Sequence, residues 1–542
     1  MNIISIASFI IATAAVALFT YILVGRMKKS KSATEEYFTG GRALTWPMVA
    51  GSLLLTNLST EQLVGLNGDV FGDKALVGVA WEALAAFAMI ATALVFLPTY
   101  LASGFTTTPA FLEKRFDKTT RSMVSGLFLF GYVTVLLPVV LYTGSLALIT
   151  MFGLNMPLYI VVAIIGVLGS SYAIFGGLKS VAVSDTLNGI GLLIGGLAIP
   201  ILALAALGGG SFFEGLLTLG RDNPQYLAVL AQENIDGKTV TVPWPTLFTG
   251  MMFIQVFYWS TNQVIVQRAM AARSLAEGQK GVLFASGMKL LGPIMLCLPG
   301  IIALHMPDLN IGKQDQVYGA VVRHVLPDWS LGLFAAVLVG SILSSFNSAL
   351  NSASTLFSLQ FYRGYINPSA SGEETVKIGK YFGVLLAGAS ILIAPLLAQM
   401  ESIFQYLQKV NGLYSVPIIG IFLLGITTKH VPAIAAKVGM IVGILFYSFF
   451  SFVNIKNVIP FFANTDGDLH WLHGYFISFL ASIGVMLIIG YLAPKTEEEI
   501  AVSEKKIPAP VDMTPWPLAK KVSAGIFGTT IAIYLLLTGA AG

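Results

Sequence analysis

Four ionisable side chains stand inside stretches that are otherwise apolar enough to cross a bilayer: Glu61, Glu82, Asp185 and Lys289. An ionised group near the bilayer centre costs about 3 kcal/mol or more on insertion scales, so those that persist face a cavity or a partner. The three carboxylates and the ammonium can pair with one another, or can read a polar ligand. Carboxylates accept hydrogen bonds and Lys only donates. Lys409 is a fifth such group, placed where its stem can snorkel toward an interface.

Two polar runs interrupt apolar helices. Thr56, Asn57, Ser59, Thr60, Glu61 and Gln62 break one; Ser260, Thr261, Asn262 and Gln263 break the other. Short polar side chains compete for backbone hydrogen bonds, which suits local unwinding, although the same hydroxyls can bond back to an intact helix. Paired broken helices at mid-bilayer are how transporters built from inverted repeats expose carbonyls to an ion. Ser341, Ser344, Ser345, Ser348, Ser352 and Thr355 recur at steps of three or four, so they share one helix face. Such a face suits close helix packing. It also offers hydroxyl oxygens to a hard cation.

The elements that must hold these groups are membrane spans. Of the 542 residues, 56% are hydrophobic and 11% charged, against about 25% charged in an ordinary soluble domain. Windows of about 20 apolar residues predict fourteen spans: 3–25, 45–71, 76–102, 121–152, 157–175, 183–207, 245–267, 281–304, 330–362, 379–398, 402–426, 432–453, 471–493 and 519–539. With the N-terminus outside, 23 of the 31 Lys and Arg fall in inner loops or at their edges, and six in outer ones, as the positive-inside rule requires. The even count puts both termini outside. The first apolar run has its positive charges after it and reads as a retained span.

Other chemistries lack their residues. The net charge of +4 gives no reason to expect nucleic acid. The single Cys297 excludes an intrachain disulfide framework. His470 and His473 have no carboxylate or thiolate at ligand spacing, no Gly-rich phosphate loop is present, and no nucleophile–base constellation emerges.

The stretches NLSTEQLVGL, FLEKRFDK, YWSTNQVIVQR, SLAEGQKG and SSFNSALNSASTLFS, with YAIFGGLKS at 172–180 and EEYFTGGR at 35–42, run over nearly the whole chain. Together they resemble the solute:sodium symporter family, most closely its bacterial sodium/sugar branch. Asn155 departs from the small residue usual in one signature. The resemblance implies an all-α, LeuT-type 5+5 inverted-repeat core in one transporter domain. A flanking helix at 3–25 would precede repeats at 45–207 and 245–426, and three peripheral helices at 432–539 would follow. It implies a bacterial inner-membrane protein, monomeric or weakly homo-oligomeric. It also implies a sodium ion between the second and ninth spans, held by the carbonyls of Leu55, Leu58 and Ser341 and the hydroxyls of Ser344 and Ser345. Asp185 matches an aspartate beside the sodium path. With Ser344, Asn347 and Ser348 it is a candidate second sodium site.

For the sugar branch, the matched solute-binding positions are Asn57, Gln62, Glu82, Lys289 and Gln408. Gln255, Trp259 and Asn262 stand beside them. Tyr258 matches an inner gate and Phe404 an outer lid. Leu66, Trp81, Ala85 and Gln255 depart from the galactose-transporting pattern, which has Met, Tyr, Ser and Asn there. The implied activity is sodium-coupled import of a small neutral sugar. A symporter for a carboxylate, amino acid or sialic acid is the nearest alternative; a channel or a membrane enzyme is more distant.

Overall fold

The computed structural model describes residues 3–26, 40–105, 107–400, 402–456, 458–504, 509 and 511–541. The expected inner-loop charges Lys28, Lys29, Lys31, Lys505 and Lys506 lie outside the described residues, as does most of the 35–42 motif. Among the described residues the chain is helix, turn and loop, and extended pairing is confined to four isolated bridges.

Among the described residues, ten helices are long and apolar enough to cross a membrane. They are Ile3–Gly25, Leu76–Ser103, Lys118–Phe152, Ser180–Leu207, Asp328–Ile366, Gly372–Gln399, Ile403–Thr427, Ala433–Phe452, Trp471–Leu492 and Ala519–Thr538. Leu275–Lys289 and Gly292–Ala303 together make an eleventh, bent by 49°. The bend has a local cause. Pro293 has no N–H to offer the Lys289 carbonyl, so the helical ladder opens just after Lys289.

The second and seventh expected spans are broken helices. The first runs Trp46–Asn57 and restarts as Thr60–Asp73. Leu58 turns away at φ −73°, ψ 63° and Ser59 is extended at φ −103°, ψ 175°. The second runs Gly250–Ser260 and restarts as Gln263–Met270, capped by the Asn262 side chain on the Val264 N–H at 3.2 Å. At one end of the molecule the two are stitched by backbone bonds, Leu44 N–H to Ala271 O at 3.1 Å and Arg273 N–H to Leu44 O at 3.0 Å.

The expected gap between the fifth and sixth spans falls inside a helix assigned over Leu158–Leu207, 50 residues long. A straight helix of that length would run about 75 Å. Yet Gly169 abuts Leu343 and Phe346, while Asn188 abuts Gly340. The two halves therefore lie along one stretch of the serine-bearing helix, Asp328–Leu356, instead of end to end. The side chains of 171–179, most of the YAIFGGLKS motif, are outside the described set.

Packing is closest where glycine admits a neighbour's backbone. A Cβ on Gly300 would lie 2.3 Å from the Asn67 carbonyl oxygen, and the Gly300 N–H already bonds Asn67 Oδ1 at 2.8 Å. Gly300→Ala is therefore expected to cost about 1–3 kcal/mol through forced backbone shifts. Gly388→Ala, which meets nothing within 4 Å, should cost nothing. Thermal unfolding of the purified variants compares them.

Candidate ion and solute site

At the first break, the Ser59 N–H that would extend the ladder to Leu55 bonds the Asn57 carbonyl instead, at 2.8 Å. The Leu55 carbonyl is released from its helical partner. So is that of Leu58, because the Gln62 N–H bonds Ser59 O. The serine face of Asp328–Leu356 meets this opening. The Ser341 hydroxyl donates to Leu58 O at 3.1 Å, and the Ser345 hydroxyl donates to Thr56 O at 3.4 Å. Thr56 Oγ1 and Ser348 Oγ stand 3.5 Å apart. Ser341, Ser344 and Ser345 are all buried. Carbonyls from an unwound segment and hydroxyls from a facing helix are the hard oxygens a small cation takes. Ser341 meets the break through its side chain, where the sequence pointed to its carbonyl. Thr56 contributes a carbonyl that the sequence did not single out.

Beside this cluster Asp185 is fully buried. One carboxylate oxygen accepts from Ser52 Oγ at 2.8 Å, and the other has no hydrogen-bond partner. Its counter-charge is Arg268. The sequence assigned that residue to an inner loop. The structure buries it completely, because the helix restarts at Gln263 and carries the guanidinium inward. Arg268 donates to its own helix at Val264 O and across to Ser348 Oγ. Of the candidate second sodium set, Ser344 lies beside Asp185, while Ser348 is engaged by Arg268. Asn347 has both side-chain polar atoms buried without partners. With Ser184, Asn188, Gly340 and Ser344 it lines a cavity of about 120 Å³ toward the first helix.

The solute-binding candidates converge elsewhere along the same break. Asn57, Gln62, Gln255, Tyr258, Trp259, Lys289 and Gln408 line one cavity, with Trp81 and Ile254. Its volume is about 30 Å³, room for a water molecule or two and not for a sugar ring. Lys289 in this lining is fully buried. It forms an ion pair with the buried Glu82, donates to Asn57 Oδ1, and stands 5.5 Å from the Trp259 ring centroid. Glu82, expected among the solute-binding residues, thus does not line the cavity and lies behind Lys289. Gln255 Nε2 donates to the Trp81 carbonyl at 2.8 Å. Two polar atoms of the lining are buried and unpartnered, the acceptor Gln62 Oε1 and the donor Trp81 Nε1. Phe404 is not part of the lining; it packs edge-on to Trp81, which is, with ring centroids 5.2 Å apart. Asn262 is outside this cavity. Its side chain caps the second broken helix and accepts from Tyr132 OH at 2.9 Å. Glu61 is buried in the first turn of Thr60–Asp73, and half-buried Lys409 lies 5.1 Å from the Phe452 ring centroid. Neither lines the cavity.

The sodium:solute symporter family model matches residues 37–443. The chain is 40% identical over 544 residues to the uncharacterized symporter YidK of Escherichia coli (strain K12), covering 98% of this chain and 91% of that one. The chain belongs to the sodium:solute symporter family. It is 32% identical to the sodium/glucose cotransporter of Vibrio parahaemolyticus, over 82% of this chain and 85% of that protein. It is 30% identical to the mouse sodium/myo-inositol cotransporter 2, over 77% and 66%. The fold matches a sodium-coupled sialic acid symporter in a substrate-bound outward-open state, with TM-score 0.76 and 21% identity over 91% of this chain and 99% of that one. A nucleobase–cation symport-1 family transporter gives TM-score 0.52 at 14% identity, over 88% and 99%. This symporter is accordingly a multi-pass membrane transporter, not an enzyme, and its coupling ion is sodium.

The Lys289–Glu82 pair makes a direct test. Removing one member of a buried pair leaves a bare charge and costs about 3–5 kcal/mol, whereas replacing both with apolar groups of similar size is close to neutral. Glu82→Leu should therefore destabilise the symporter more than Glu82→Leu with Lys289→Met. Melting temperatures of the purified proteins read this, and a double variant as unstable as the sum of the singles would contradict the pairing.

Proposed function

We propose that this symporter imports a small neutral polyhydroxylated solute, hexose-like in size, together with sodium across a bacterial inner membrane. The observation that carries this reading is the composition of the cavity wall. The wall's ammonium, Lys289, is neutralised by the Glu82 carboxylate directly behind it, so the site has no net charge to satisfy. Around them are amides, which donate and accept, and aromatic faces. A ring of hydroxyls uses every one of these groups: carboxylate oxygens and Gln62 Oε1 accept, while Lys289 and Trp81 Nε1 donate. Such a wall discriminates strongly against solutes lacking the matching hydroxyls. A glucose and an inositol relative are consistent with this class. An anionic solute, as in the sialic acid symporter that shares the fold, would meet Glu82 directly behind Lys289, which disfavours it.

The coupling follows from the break. Sodium held by the Leu55 and Leu58 carbonyls and the Ser344 and Ser345 hydroxyls fixes Asn57, and with it one wall of the solute cavity. The reading carries the 5+5 inverted-repeat core at 45–207 and 245–426, with both termini outside, Phe404 as the outer lid and Tyr258 as the inner gate. Sodium leaves past Asp185, and a second sodium beside Asp185 and Ser344 is the alternative use of that carboxylate. One charge crossing 100 mV supplies about 2.3 kcal/mol, and a tenfold sodium gradient adds about 1.4 kcal/mol. The sum of roughly 3.7 kcal/mol sustains a several-hundred-fold solute gradient per sodium.

Radiolabelled uptake into proteoliposomes, across hexoses, pentoses, inositol, amino acids and sialic acid, tests this. Uptake of a neutral polyol driven by sodium and not by potassium or protons is expected. Exclusive uptake of an anion would overturn the solute reading. Ser345→Ala should abolish or strongly reduce sodium dependence. Glu82→Gln should lower solute affinity about tenfold or more, the scale of one charge-assisted hydrogen bond, with sodium binding retained. Full affinity in that variant would remove Glu82 from the site.

A further inference from the structure

The helix that carries Phe404, Ile403–Thr427, begins in a clasp of carboxylates. Asp69, on the second half of the first broken helix, is 1% exposed. One of its oxygens accepts from Ser402 Oγ at 2.8 Å and from Gln314 Nε2 at 3.3 Å; the other accepts from Gln405 Nε2 at 2.7 Å. Ser402 is itself the N-cap, its hydroxyl accepting the Gln405 N–H at 3.1 Å. Asp315, 3% exposed, takes the backbone N–H of Ile403 and has one carboxylate oxygen without a partner. The segment carrying Asp315 lies directly on the broken helix, since a Cβ on Gly68 would come within 2.9 Å of the Gln314 carbonyl oxygen. Phe404 follows two residues after Ser402. It packs so closely that a Cβ on Gly65 would fall 2.4 Å from its own.

We propose that Asp69 and Asp315 form a latch that holds the first turn of the Phe404 helix against the broken helix, and that this latch must release before the Phe404 end of the solute cavity opens. Five polar groups converge on one turn of helix, and that turn carries the aromatic ring packed on Trp81 of the cavity lining. Charge-assisted bonds to a helix N-terminus are among the stronger polar contacts available, and water entering an opened gate would replace them. The clasp therefore sets the balance between closed and open.

Two buried carboxylates side by side also make the latch sensitive to protons. Burial, and then the charge of Asp69, raise Asp315 to about 7, while Lys313 draws it down. Asp73 on the broken helix is coupled by charge to Asp69, and Tyr142 faces Asp315 from the Lys118–Phe152 span. Because the closed state holds Asp315 at a raised value, it binds more protons than an opened, hydrated state. The closed state is favoured below the ordinary carboxylate range and weakens as pH rises toward about 7. Above that the effect levels off.

The proposal rests on Phe404 being the outer lid. Its test separates the two. In a Cys297→Ala background, Gln408→Cys places a thiol in the cavity wall, and a membrane-impermeant maleimide is applied to each face of sealed vesicles in turn. Asp69→Ala is expected to raise the labelling rate from the outer face roughly tenfold, with no rise from the inner face. Asp69→Asn, which keeps the shape of the side chain, should give a smaller rise. In the parent, outer labelling, normalised at each pH to the reaction of a free thiol with the same maleimide because the thiolate is the reacting form, should increase between about pH 5 and pH 7, and Asp315→Asn should flatten that dependence. No increase at either face would overturn the latch. An increase confined to the inner face would support the latch and overturn the reading of Phe404 as the outer lid. Asp69→Glu, restoring the carboxylate, should return labelling toward the parent rate, whereas a purely structural role would leave it disturbed.

Discussion

A bilayer offers no water to a broken helix, so each carbonyl released between Leu55 and Ser59 must find a partner inside the protein. The symporter meets that constraint with the serine face of Asp328–Leu356. Ser341 and Ser345 donate across the gap to Leu58 and Thr56. Those bonds tie the first broken helix to the serine helix. They also place hydroxyl lone pairs and carbonyls around one point, where a cation can displace them. Everything else in the site is arranged around this opening. Asn57, at the last turn before it, reaches Lys289; Lys289 reaches Glu82 behind it; and Lys289 lines the cavity together with Trp81, Trp259, Tyr258 and Gln408.

The same economy of charge appears twice. Lys289 is neutralised by Glu82, and Arg268 faces Asp185 while donating to Ser348 and Val264. A lone ion at this depth would cost several kcal/mol, so each cation is buried with an anion and with further hydrogen-bonding groups. The consequence is a site that is neutral as a whole yet rich in donors and acceptors. Such an interior keeps the donors and acceptors around Lys289 apart from the freed carbonyls at Leu55 and Leu58, so that the solute and cation proposed above would use separate oxygens.

Much of this was legible in the sequence, for a definable reason. Runs of short polar residues inside apolar windows, at Thr56–Gln62 and Ser260–Gln263, announce where a helix loses its ladder, because those side chains offer the backbone local alternatives. Both breaks occur there. The three-and-four spacing of the serines gave the facing helix. Side-chain destinations that depend on tertiary packing were not legible. Arg268 reads as an inner-loop charge until the helix restarting at Gln263 turns it inward. Asn262 reads as a ligand but is needed as a cap. The bend after Lys289 was hidden within an apolar window, although Pro293 marks it in retrospect. Asp69 and Asp315 lie 246 residues apart in sequence, so nothing local announces that they meet on the first turn of a third helix.

The most direct measurement is a pair of density maps of the purified symporter, one in sodium and one in choline. A peak is expected in sodium alone, bounded by the Leu55 and Leu58 carbonyls and the Ser344 and Ser345 hydroxyls, with the Ser345–Thr56 bond lengthened. A helix continuous through Leu58 and Ser59 in sodium, with no peak between it and the serine face, would contradict sodium binding at the break.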